Sequence, residues 1–461
     1  MAALSAASLV LAATPPAQAT DTGPVAAFLQ GAMNDQRFEQ VLDLAPPTSP
    51  QARTLAGVVD KDAKTAADYA RLFAGVADAK PIVQQPQLDV TVLELDQQGR
   101  PVTSGTVLMS PQYSSGIAVP VDKNFHTDQV RYRQWDDAGW YANQGKGTID
   151  IVPGRENAPI DFMLPYPASV LKLMVTFGVL RLVDKGEIKL DDTYDYQPTT
   201  LSSLCGGPTS NTIRAYMDAS ITSSNAGTCA LVKLLHDRSA VDELNQTFQD
   251  LGLETMQLKN TNPVNGGRWS NPVTMSSLDT AKLLALVNGV TGTAWTAPNG
   301  KPVTSEVLSL TSRRFFKKLL DEQGFNDMLS TTNRCGSTYP AAGIPQRVAS
   351  RWVAADGTVT VEGNKFGKDV RPCNQQAQVT FGHKTGWVGN SGADAGIVKS
   401  LPGKAGRHYV VVAVTNLGTQ YVDANRPATE SGIYPVALPR SWPSWVRRST
   451  GTRPPGMPGA T

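Results

Sequence analysis

The chain has 461 residues, of which 41% are apolar and 18% charged, with 42 Lys and Arg set against 40 Asp and Glu. Length and apolar share exclude a disordered chain and allow a sizeable core. A net charge of +2 excludes the polybasic footprint through which proteins hold nucleic acid, and no run after the amino terminus reaches the ~18 apolar residues of a membrane span.

Residues 1–19 are rich in Ala and Leu and end in Ala17-Gln18-Ala19, the small-x-small pattern of a signal-peptidase site. The stretch reads as a secretory signal peptide, although the first basic residue is Arg37. No cysteine precedes Cys205, so no lipid anchor beside the cleavage site is expected. The expected location is therefore secreted or in the cell envelope. In such a compartment Cys205, Cys229, Cys335 and Cys373 suit two disulfides, with three connectivities open. Short loops close most readily, which favours Cys205 with Cys229 and Cys335 with Cys373.

Residues 20–85 read as a helical extension, broken at Pro46, Pro47 and Pro50 and resuming as a helical pattern from Thr54 to Ala79. Leu88, Val90, Val92 and Leu95 alternate with polar residues, Gln98-Gly99 makes a turn, and Thr106–Met109 follows, which predicts a hairpin on a sheet edge. Residues 111–160 are polar and aromatic, with Trp135, Trp140 and Tyr141, and read as an insertion. Ser169 to Lys185 is the longest apolar helical pattern, closed by Gly186. A helix apolar nearly all round belongs at the centre of a domain. Further helical patterns run over Ala226–Leu235, Val241–Leu251, Ser276–Val287 and Glu306–Leu320. Strand patterns return at Ala377–Phe381, Asp394–Lys399 and Tyr409–Thr415. The order predicts an α/β fold of the α+β kind, an antiparallel sheet drawn from both chain ends and packed on a central all-helical region. One domain would cover 86–434, with insertions at about 111–160 and 347–380, followed by a flexible tail over 435–461. No internal repeat is present.

Three short motifs occur in order: Ser169-Val170-Leu171-Lys172, Ser223-Ser224-Asn225 and Lys384-Thr385-Gly386. Each alone is a weak signal. Together, with the first opening the buried helix, the second starting the next helix and the third ending a core strand, they form a specific set. The set resembles the three-motif signature of the penicillin-recognising serine hydrolases, the class A β-lactamases and low-molecular-weight penicillin-binding proteins. The likeness extends to Gly252–Pro263, similar to the class A omega loop, to Pro272–Met275 after it, and to the strand Asp394–Val398. It covers roughly residues 86–420.

Elementary chemistry gives each matched residue a task. A serine hydroxyl is a poor nucleophile at neutral pH, and a lysine one turn later lies on the same helix face, within reach of its proton. Ser169 would attack and Lys172 would accept the proton. Ser223 would relay it to the leaving nitrogen, and the Asn225 amide would hold a substrate amide. Lys384 and Thr385 would bind a substrate carboxylate, with Gly386 letting the substrate backbone approach. The N–H groups of Ser169 and Trp387 would form the oxyanion hole. Expected substrates are β-lactams or peptidoglycan-derived peptides resembling acyl-D-Ala-D-Ala, handled by a monomer.

The pattern departs from class A at one position. The resemblance implies a glutamate followed by Pro, and Asn262-Pro263 stands there instead. An amide cannot accept a proton, so deacylation is expected to be weak. Glu254 is the nearest carboxylate in sequence, and Glu362 in the later insertion could fold over the site. The alternative function is a penicillin- or peptidoglycan-binding scaffold without turnover.

Other hydrolase patterns are absent. No Gly-x-Ser-x-Gly elbow occurs, Gly389-Asn390-Ser391-Gly392 continuing with Ala393. His126, His236, His383 and His408 are scattered and form no ligand set, so neither metal nor cofactor is expected. His383 reads as a packed strand residue. Trp269 and the Trp135–Tyr141 group read as packing or as cleft lining.

Overall fold

A computed structural model describes residues 23–44, 74–269, 272–336, 343–404, 406–427 and 432–438. The signal-peptide reading of 1–19, most of the helical pattern over 54–79 and the tail from 439 lie outside the described residues.

The alternating and continuous apolar runs form one six-stranded antiparallel sheet. Its strands are β1 (Leu88–Leu95), β2 (Pro101–Ser110), β3 (Tyr113–Ala118), β4 (Val379–Val388), β5 (Ser391–Ser400) and β6 (His408–Thr415). Their spatial order is β4-β5-β6-β1-β2-β3. The two chain ends meet where β6 pairs with β1, from Tyr409 opposite Glu94 to Thr415 opposite Leu88. The hairpin predicted for a sheet edge is therefore interior. Val107 pairs with Ala118, so β3 covers β2, and β6 covers β1. Part of the expected 111–160 insertion thus belongs to the main sheet, and Val130–Gln134 pairs in parallel with Ile160–Leu164 beside it.

One face of the sheet, carrying Ala393, Ala395, Ile397, Val410, Val412 and Val414, packs on the helices. These are α2 (Lys172–Asp184), α3 (Ile213–Thr222), α4 (Asn225–Asp237), α5 (Val241–Asp250), α6 (Ser277–Asn288) and α7 (Leu310–Asp321), preceded in the chain by α1 (Gly23–Asn34). Helix α2 is buried on nearly every side, as its all-round apolar sequence demands. The opposite face, carrying Val90, Val92, Val398, Tyr409 and Val411, is covered by α1, by Met328, Leu329 and Ile344, and by Tyr434, Ala437 and Leu438. Residues 435–438 fall in the expected flexible tail, but Ala437 and Leu438 are buried in this second core.

The amino-terminal extension is more than helical. Val41–Asp43 pairs with Tyr421–Asp423 and with Lys80–Pro81. The expected insertion at 347–380 starts earlier in space, since Phe325 shares a small core with Cys335, Val348, Val359, Val361 and Val370. A disulfide joins Cys335 to Cys373 in this lobe, and another joins Cys205 to Cys229 under the helical region, both as expected from loop length. No described helix is long and apolar enough to cross a membrane.

Candidate active site

Ser169 lies in a 3-10 turn, Ala168–Leu171, that leads directly into α2. The predicted single helix from Ser169 is thus two segments. The break begins at Ala168, whose φ of 45° is in the left-handed region that costs an L-residue about 1–2 kcal/mol. Nothing in the sequence marks that strain. It aims the turn at β4: a Cβ at Gly386 would collide with the Ser169 backbone nitrogen and come within 2.9 Å of its Cα. Only glycine permits that approach.

Lys172, at the first position of α2, is fully buried. Its Nζ donates to the Ser223 carbonyl at 2.9 Å and to Asn225 Oδ1 at 2.9 Å, and lies 6.0 Å from the centroid of the Trp269 ring. The Ser223-Ser224-Asn225 motif is the junction where α3 ends and α4 begins. Ser223 closes α3, while Ser224 caps α4 by accepting from Gly227 N at 3.0 Å. That cap leaves Asn225 in the first turn, its amide oxygen turned to Lys172. The first two motifs are thereby brought into one hydrogen-bonded cluster.

Lys384, Thr385 and Gly386 lie in the second half of β4, an outer strand of the sheet. Lys384 is fully buried and its Nζ donates to the Thr385 carbonyl at 2.7 Å. Thr385 Oγ1 donates to Ala393 O at 3.4 Å. Alternation places Gly382, Lys384 and Gly386 on the face toward α7 and Ser169, since a Cβ at Gly382 would meet Asp321 and one at Gly386 would meet Ser169. Trp387 is partly buried, its ring packed edge-on at 6.2 Å from Phe325 of the added lobe.

The loop expected over 252–263 is shifted in the structure. Gln257–Leu258 is a short strand paired with Val273–Thr274, so the loop proper begins after Leu258 and closes where Lys259 N donates to Pro272 O at 3.1 Å. Asn262 heads a tight turn within it. Its Oδ1 accepts from Val264 N at 2.9 Å, and its backbone bonds to Gly266 and Gly267. The turn is wedged on the Cys205–Cys229 disulfide: a Cβ at Gly266 would strike Cys229 O, and one at Gly267 would lie 2.9 Å from Cys205 Sγ. Trp269, at the far end of the turn, faces Lys172.

Of the two alternative carboxylates, Glu254 is engaged elsewhere. Glu254 pairs with His126 at 3.1 Å and with Arg155 at 3.2 Å, and this pairing holds its carboxyl below the usual range although burial opposes it. Glu362 sits at the tip of the Val359–Phe366 hairpin. Of the aromatic group in the first insertion, Trp140 packs on Trp135 and Tyr141, and Tyr141 donates to Asp43 Oδ2 at 3.3 Å. Among the described residues no group of His, Cys, Asp and Glu could hold a metal ion.

Solved structures that match the chain include a variant of PBP-A in an acyl-enzyme complex with penicillin G (15% identity, 82% of this chain, 96% of that one, TM-score 0.41). Others are a β-lactamase from Chitinophaga pinensis (17%, 82% and 98%, 0.40) and the TLA-1 extended-spectrum β-lactamase (15%, 82% and 99%, 0.40). No curated protein matches the chain. The sequence pattern of the beta-lactamase enzyme family matches residues 164–433, a span that begins just before Ser169, contains all three motifs and ends after β6, and the chain belongs to that family of serine hydrolases.

Proposed function

We propose that the protein is an exported serine hydrolase that is acylated at Ser169 by β-lactams or by peptidoglycan-derived peptides resembling acyl-D-Ala-D-Ala, and that releases the acyl group slowly. The observation that carries this reading is the buried Lys172 amine, one turn from Ser169 and 2.9 Å from both Ser223 O and Asn225 Oδ1. Ser169 Oγ attacks the carbonyl carbon while its proton passes to Lys172. The C–N bond then breaks as the proton moves through the Ser223 hydroxyl to the leaving nitrogen. The N–H groups of Ser169 and Trp387 hold the oxyanion, in the way backbone donors stabilise developing charge. Asn225 orients the substrate amide. Lys384 and Thr385 take its carboxylate, and Gly386 keeps the wall beside Ser169 low enough for the substrate to enter.

Slow release rests on Asn262. Its amide oxygen is already engaged by Val264 N, and an amide offers no general base, a loss worth about 10²–10⁴-fold in rate. Export is supported by the two disulfides and the signal-like start. Intact-mass measurement after incubation with a penicillin tests the reading: the wild type gains one acyl adduct and Ser169→Ala gains none. Unmodified wild-type mass overturns it. Lys172→Ala separates an enzyme from a binding scaffold, because only an enzyme loses its adduct while reversible binding stays within a few-fold.

A further inference from the structure

Directly behind the Lys384-Thr385-Gly386 segment, on the sheet face away from Ser169, lies a closed polar network. His383 and Asp394 are both fully buried, and His383 Nδ1 lies 2.7 Å from Asp394 Oδ1. The other ring nitrogen, Nε2, lies 3.0 Å from Asn326 Oδ1. The Phe381 ring is stacked on the imidazole at 4.2 Å. Asp394 Oδ2 accepts from Leu329 N at 3.0 Å, so the carboxylate also bridges to the lobe that covers this face.

The orientation of the Asn326 amide decides which atoms carry hydrogen. Its Nδ2 donates to the Gly324 backbone carbonyl at 3.3 Å and to Asn333 Oδ1 at 2.8 Å. A backbone carbonyl can only accept, so Asn326 cannot be turned over, and Oδ1 must face His383. Gln346 Nε2 donates to the same Oδ1. Asn326 Oδ1 requires Nε2 to donate, and an ionised Asp394 requires the same of Nδ1. Charged groups on the neighbouring elements include Lys384, which the strand directs to the opposite face, Asp321 of α7 against Gly382 on that same opposite face, and the Asp327–Arg334 ion pair of the lobe, closed at 3.2 Å.

We propose that His383 is a positioning residue for the carboxylate-binding segment: a buried imidazolium that, through Asp394 on one side and Asn326 on the other, clamps β4 to the added lobe and so fixes where Lys384 and Thr385 meet substrate. This rests on the reading of those two residues as the carboxylate contact. A neutral ring protonated at Nδ1 would set the Nε2 lone pair against that of Asn326 Oδ1, and one protonated at Nε2 would set the Nδ1 lone pair against an ionised Asp394. The lobe from Gly324 onward is thereby part of the substrate site without touching the substrate. Its second hold on β4, the ring of Phe325 on Trp387, lies at the other end of the same segment.

The test has two arms. In the wild-type protein, ¹⁵N spectra of the imidazole rings, with His383→Gln to identify the signals, should show hydrogen on both nitrogens of His383 at neutral pH. A ring with one N–H overturns the proposal whatever the enzyme does. In the second arm, His383→Gln should weaken acylation by a carboxylate-bearing penicillin by about 10-fold to 10²-fold, the scale of a displaced contact, while acylation by a neutral thioester stays within about twofold. Equal losses for both donors, or none, also overturn it. A wild type that no β-lactam acylates removes the proposed function and the positioning role with it, whereas an acylated wild type with equal losses removes only the positioning role.

Discussion

Asp89 is the most informative residue for a test of the fold's electrostatics. It is fully buried in β1, where Oδ2 accepts from Ser277 N at 2.7 Å and Oδ1 accepts from the Ser277 hydroxyl. Ser277 Oγ in turn lies 2.6 Å from Thr91 Oγ1, which lies 2.8 Å from Thr106 Oγ1. Burial pushes the Asp89 carboxyl from 3.8 up to about 7 against the pull of the Ser277 bonds, with Asp279 adding to the rise. Below the unfolded value both states hold the proton and the group has no effect on stability. As pH rises from there to about 7, the unfolded chain ionises freely and the folded one resists, so stability falls and the loss is complete above about 7. At about 1.4 kcal/mol per tenfold, that gap is worth on the order of 4 kcal/mol. Asp89→Asn removes the ionisation and keeps an acceptor for Ser277 N, while its NH₂ can donate to Ser277 Oγ if that hydroxyl turns toward Thr91. Allowing about 1 kcal/mol for a weaker neutral bond, urea denaturation should show the variant unchanged near about pH 4 and more stable by about 2–4 kcal/mol near about pH 8. An offset equal at both pH values, or a variant less stable at the higher one, refutes the reasoning.

Asn262→Glu should speed release of a penicilloyl group from Ser169, read as a faster linear phase after the acylation burst, and should cost about 1 kcal/mol of stability by removing the turn's bond to Val264 N. Gly386→Ala should cut acylation by about 10²-fold and also lower the melting temperature, because its Cβ collides with the Ser169 backbone; wild-type acylation and stability would show that the turn yields freely. Replacing Cys335 and Cys373 by Ser should lower stability by up to about 4 kcal/mol from the loop of 38 residues they close, and thiol titration of the denatured, unreduced wild type should find no free cysteine.

Much of this architecture is legible in the sequence where one physical signal dominates. Residues 409–415 are apolar almost without interruption because β6 is covered on both faces, and α2 reads as central because ten of its residues are buried. The disulfide pairs follow loop length. Legibility fails where polar residues do the work of packing. Gln323, Asn326, Asn333 and Gln346 are buried in the added lobe, yet their composition reads as surface, so the lobe's extent and its grip on His383 are invisible without coordinates. Strand β3, Tyr-Ser-Ser-Gly-Ile-Ala, carries too few apolar residues to show its period. At the site, the motifs identify residue types and spacing. The left-handed Ala168 and the shortened loop seated on Cys229 depend on contacts across the fold, which no local pattern encodes.

The sheet closes by joining strands about 300 residues apart, β6 laid against β1. Synthesis delivers β1, β2, β3 and then the helices long before β4 emerges. Until it does, Ser169 lacks the wall that Gly386 supplies, and β1 keeps an open margin until β6 follows. The chemistry proposed for Ser169 is therefore among the last properties the chain acquires. A product halted anywhere before Val379 is inert and also prone to aggregate, since Val90 and Val92 lie beside an unpaired edge. Closing so distant a pair is slow, which lengthens that vulnerable interval.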